Sequence, residues 1–70
     1  MVAEEFEIAL KSQRARKPFR PFTIEQASGE RVRVDLPEAI AVRDGVAAFV
    51  GPGGVPFLFD HETVSLVIGE

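Results

Sequence analysis

The stretch Arg31-Val32-Arg33-Val34-Asp35-Leu36-Pro37-Glu38-Ala39-Ile40-Ala41-Val42-Arg43-Asp44-Gly45-Val46-Ala47-Ala48-Phe49-Val50 decides the fold. Its first six residues alternate charged and aliphatic side chains, the period-two signature of a half-buried strand. Val32, Val34 and Leu36 are expected to point inward, and Arg31, Arg33 and Asp35 outward. Pro37 has no backbone N–H to give to a ladder, which predicts a bend or bulge in this strand. Pairing resumes in Ala39-Ile40-Ala41-Val42, reverses at the hairpin dipeptide Asp44-Gly45 and returns through Val46–Val50.

Working outward, the segments on both sides also read as strands. Upstream, Phe22-Thr23-Ile24-Glu25-Gln26 alternates and Ser28-Gly29 can supply a two-residue turn. Downstream, Gly51-Pro52-Gly53-Gly54 reads as a loop and Val55-Pro56-Phe57-Leu58-Phe59 as a strand. A polar turn at Asp60-His61-Glu62-Thr63 then leads into Val64-Ser65-Leu66-Val67-Ile68. At the other end, residues 3–16 form one amphipathic helix, with Val2, Phe6, Ala9 and Leu10 near helical spacing and Ile8 off that stripe. Pro18 ends it, because the residue before a proline is pushed out of helical conformation. Prolines 18 and 21 make residues 17–21 an extended linker. They also form a PxxP spacing, although the interleaved Phe19 and Phe22 favour packing on the chain's own domain.

The expected architecture is α+β: an N-terminal helix and a bent five-stranded antiparallel sheet closing as a small barrel, an element order that resembles the Sm-like and SH3-like folds. Residues 1–70 make one domain, with helix 3–16, linker 17–21 and sheet 22–69. Short connections predict sequential antiparallel pairing, a meander. The last three strands are apolar on both faces, more than a single copy of so short a chain can bury. With no cysteine to form a disulfide, self-association is the expected source of added stability, through Phe49, Leu58 and Val67.

Composition narrows the classes. Hydrophobic residues are 46% of the chain and charged residues 27%, a globular balance. No apolar run is long enough for a membrane span. Glu4, Glu5 and Glu7 stand where a secretory leader carries positive charge, which predicts a cytoplasmic protein. The net charge of −3 conceals a segregation. Lys11, Arg14, Arg16, Lys17 and Arg20 fall in one ten-residue window without an acid. Such a window can bind phosphate, or can complement the negative end of the helix dipole.

Catalysis is not expected. His61 is the single histidine, and the chain's serines and threonines show no nucleophile pattern around it. One imidazole without cysteines falls short of the usual zinc set, and adjacent side chains such as Asp60, His61 and Glu62 usually diverge, so neither metal nor cofactor is expected. The glycine-rich Gly51–Gly54 loop precedes a strand rather than the helix N-terminus that a phosphate loop requires. Most of the six phenylalanines belong to a core, with Phe19 the plausible exception between Lys17 and Arg20.

Phe59-Asp60-His61-Glu62-Thr63-Val64-Ser65-Leu66-Val67-Ile68 resembles the corresponding stretch of the Hfq family of bacterial RNA chaperones, within the Sm-like fold. Phe59 and His61 match an aromatic and a histidine of that family, and Asp60 stands in place of its RNA-contacting lysine. Phe22–Gly29 is similar to its first strand and turn, and Arg14, Arg16 and Lys17 to its arginine-rich rim. Lys17–Phe22, Ser28–Glu30, Pro37-Glu38 and Asp60-His61 together resemble a family of short bacterial proteins to which no activity is attached. The leading expectation is therefore a non-catalytic, self-associating binding or assembly module. The alternative that the Sm-like resemblance implies is an RNA binder, using Lys11, Arg14, Arg16, Lys17 and Arg20 for phosphates and Phe19 and His61 for bases.

Overall fold

A computed structural model describes all 70 residues apart from the side chain of Pro52. One helix, α1 (Ala3–Arg14), is followed by six strands: β1 (Phe22–Gln26), β2 (Arg31–Val34), β3 (Ile40–Arg43), β4 (Val46–Val50), β5 (Pro56–Asp60) and β6 (Val64–Gly69). The class is α+β, as the alternation of periods predicts. The strands form two three-stranded antiparallel sheets, ordered β2-β1-β6 and β3-β4-β5, rather than one five-stranded closed barrel.

Two departures from the expected meander account for this arrangement. The strand expected to bend at Pro37 is instead divided there. Pro37–Ala39 forms a single 3-10 turn, closed by Ala39 N–H donating to Leu36 O at 3.1 Å. The chain leaves one sheet at Val34 and enters the other at Ile40, which makes six strands of an expected five. Leu36, expected inward, lies on the connection and is 56% exposed. The second departure is at His61–Thr63, another 3-10 turn. It carries the chain back across the molecule, so that β6 pairs with β1 rather than with its neighbour β5. Asp60 opens this turn, with its carboxylate accepting from Glu62 N–H at 2.9 Å and its carbonyl from the Thr63 hydroxyl at 2.9 Å.

The core lies between the two sheets and under α1. Phe22, Ile24, Val34 and Val64 come from one sheet, Ile40, Ala47, Phe49 and Phe59 from the other, and Phe6 and Leu10 from the helix. The apolar stripe of α1 thus buries Phe6 and Leu10, whereas Val2 precedes the first helical residue and is exposed. The helix ends two residues before the expected limit, and the linker bends at Lys17-Pro18. Each fully buried phenylalanine contributes about 1.5–3 kcal/mol relative to solvent. That is a large share of the stability of so short a domain.

The hairpins follow from local chemistry. Asp44 and Gly45 both have positive φ, 53° and 78°, as a two-residue turn of this hand requires. The β1–β2 loop is one residue longer than the expected pair: Gly29, at φ 92°, follows a turn closed by its N–H to Gln26 O at 2.8 Å. Gly45 has a second constraint. A Cβ there would stand 2.7 Å from the His61 ring and 3.3 Å from Ala3 Cβ, whereas at Gly53 (φ 85°) it would meet nothing within 4 Å. Chemical denaturation should therefore find G45A destabilised by about 2–4 kcal/mol and G53A by about 1 kcal/mol, the excess coming from the contact. Equal losses would remove packing against His61 as a constraint.

Candidate functional site

The side chains of the basic window divide between contacts within the chain and open solvent. Lys11 is exposed and pairs with Glu7 one turn back at 3.8 Å. Arg14 turns inward, donating to the carbonyl of Ile40 at 3.2 Å, and so ties the end of α1 to the start of β3. Arg16 donates to Gln13 Oε1 at 3.3 Å and to the Glu70 carbonyl at 2.9 Å. Lys17 and Arg20 are exposed and make no ion pair among the described residues. Phe19, between them, is half-buried, packs on the core and meets Phe22 edge-on with ring centres 6.2 Å apart.

A second charged cluster, not anticipated from the sequence, sits where β2 faces the chain's last residue. Arg33 binds both carboxylate oxygens of Glu70, at 3.1 and 3.3 Å, and its Nη1 lies 3.2 Å from Asp35. The hydrogen bonds and charge of Glu70, with the charge of Asp35, hold the Arg33 guanidinium above its ordinary pKa, so it stays protonated throughout the accessible range. All three side chains are open to solvent, so the cluster is a weak tie rather than a buried network.

His61 is tied into the fold on several sides. Its backbone N–H donates to Gly45 O at 2.9 Å, and its ring lies against Gly45. The Met1 ammonium donates to His61 O at 2.8 Å and to Val64 O at 2.9 Å, while His61 Nδ1 lies 2.8 Å from Met1 O. Since a carbonyl only accepts, Nδ1 is the donor. The histidine thereby joins the N-terminus, the β3–β4 hairpin and the β5–β6 turn. Its neighbours Asp60 and Glu62 are exposed, and one donor atom from each of the three residues falls within 4.8 Å of the others.

The apolar residues expected to mediate self-association divide. Phe49 is 6% exposed and Val67 packs against the core, so both face inward. Leu58 alone of the three projects outward, at 75% exposure. The reason is strand parity. Ala47 and Phe49 face the core opposite Phe59 and Phe57, which turns Ala48 and its partner Leu58 to the outside. The same rule places Leu66 and Ile68 outward opposite Glu25 and Thr23, while Val67 sits inward opposite Ile24. Those two leucine and isoleucine positions were legible from the polar alternation of β1, had the β1–β6 pairing been known. An open groove of about 220 Å³ lies beside the Pro37 turn, lined by Asp35, Leu36, Ala39, Phe49, Val50 and Gly51.

The chain matches no family model, no curated protein and no solved structure. No helix among the described residues is long and apolar enough to cross a membrane.

The anchoring of His61 gives a direct test. H61A removes the hydrogen bond to Met1 O and the packing on Gly45, and should cost about 1–3 kcal/mol by denaturant titration. H61N can still donate from its side-chain amide and should recover at least half of that loss. Equal destabilisation by the two variants would show that ring packing, not the hydrogen bond, carries the contribution.

Proposed function

We propose that this chain is a non-catalytic assembly module that associates with copies of itself through the edges of β5 and β6. These strands lie at the ends of their sheets, and each offers a row of backbone groups without a strand partner in the same chain. The observation that carries the reading is the apolar dressing of those edges. Leu58 on β5 and Leu66 and Ile68 on β6 are exposed and point away from the core, while Phe57, on the other face of β5, is half exposed. Soluble single-copy proteins usually protect an edge with charge, proline or a bulge. Here Pro56 is at the start of β5 and the only edge charge on that strand is Asp60 at its end.

The strand order supports the finer reading of the fold. Counting β2 and β3 as one strand broken at Pro37, the order becomes β6-β1-β2/β3-β4-β5, the connectivity of a small, open Sm-like or SH3-like barrel. A second reading, phosphate binding by the basic segment, is favoured by one observation. Lys17 and Arg20, on either side of Phe19, are exposed and make no ion pair among the described residues. It is the weaker reading, because Arg14, Arg16, Phe19 and His61 are already engaged within the chain.

Light scattering on the purified chain at micromolar concentration should give a mass above that of one copy, and L58K should return it to a single copy without loss of fold. A single-copy mass for the unaltered chain would remove the assembly reading. For the second reading, labelled RNA should show an anisotropy rise that weakens steeply with salt and is lost in the K17E/R20E double variant, as counterion release requires. Unchanged anisotropy at low salt rejects it.

A further inference from the structure

The β5–β6 turn places three side chains with metal-ligand chemistry in a row, and its geometry overrides the expectation that neighbours diverge. Donor atoms of Asp60, His61 and Glu62 all lie within 4.8 Å of one another. The imidazole is prepared as a ligand. With Nδ1 donating to the Met1 carbonyl at 2.8 Å, the lone pair of the neutral ring resides on Nε2. A backbone carbonyl holding the other ring nitrogen is the outer arrangement that metal-binding histidines use to fix ring orientation. Nε2 lies 3.7 Å from Asp60 Oδ1. Two donors sharing one cation at bond lengths of about 2.0–2.2 Å stand roughly 3–4 Å apart, so this pair needs little adjustment. Asp60 Oδ1 also accepts from Glu62 N–H, which fixes the carboxylate and leaves its second oxygen uncommitted. The Glu62 side chain is exposed and accepts no hydrogen bond among the described residues, so it can close the remaining distance.

We propose that Asp60, His61 and Glu62 form a binding site for a first-row divalent transition cation. One imidazole and two carboxylates supply three ligands, and water completes the coordination. The imidazole sets the class: magnesium and calcium prefer all-oxygen sites, whereas zinc and its neighbours accept a nitrogen with carboxylates. The site is independent of self-association, since every ligand comes from one turn of one chain.

Zinc chloride titrated into the full chain is the test, read by calorimetry and by the His61 ring resonances in NMR spectra. One equivalent should bind and shift the His61 ring signals. E62Q, which leaves every hydrogen bond of the turn in place, should weaken binding by about tenfold or more, at least the effect of removing an outer partner. H61N, which can keep a donor toward Met1 O but has no distal nitrogen, should abolish the response. His61 signals that stay unmoved at millimolar zinc overturn the proposal. So does binding that E62Q leaves at full strength, and that variant decides the matter if H61N fails to fold.

Discussion

The structure depends on α1, which packs against both sheets and adds Phe6 and Leu10 to the core they share. Neither sheet has enough strands to bury its own inner face, and no disulfide ties the two together. The helix packs against β3 of one sheet, and against β6 and the turn before it in the other. Its two buried side chains complete a core to which the sheets contribute four residues each. A helix of twelve residues is marginal alone in water. Helix and sheets are therefore mutually conditional, and the polar ties at the helix ends belong to the same closure. Arg14 binds the Ile40 carbonyl at one end, and the Met1 ammonium binds His61 and Val64 at the other.

This dependence explains why so much of the surface stays apolar. With ten side chains fully committed to the interior, little area remains to cover the outer faces of β5 and β6. Small domains gain stability from additional contacts more cheaply than from a larger core. The proposed assembly therefore answers a shortage that the chain's length imposes, rather than adding a feature to a self-sufficient fold.

Local features were readable in the residues, and long-range ones were not. Asp44-Gly45 specified its turn because only a few residues accept two successive positive φ values, and Arg31–Val34 specified a half-buried strand because charge and aliphatic alternate there. Val46–Val50 was different. Every residue in it is apolar, so periodicity does not tell which parity faces the core, and Phe49, expected to mediate self-association, faces inward opposite Phe57. Pro37 announced an interruption but not its size: a bend keeps one strand, whereas a 3-10 turn makes two in different sheets. For the basic window, charge was plain and partners were hidden. Arg14 and Arg16 are satisfied by carbonyls of Ile40 and Glu70, which are remote in sequence. The convergence of Asp60, His61 and Glu62 depends equally on a distant group, since Met1 orients the ring.

The return of β6 to β1 also governs when the molecule can take shape. β1 is the central strand of its sheet, and its partner β6 follows it only after all three strands of the other sheet. The β3–β4 and β4–β5 hairpins can form locally, but Phe22 and Ile24 stay uncovered until residues 64–69 reach β1. Pairing of such separated segments is slow relative to local hairpins. A protected state thus waits for that long-range pairing, and until then the chain carries the bare aromatic surface that makes folding intermediates prone to aggregate.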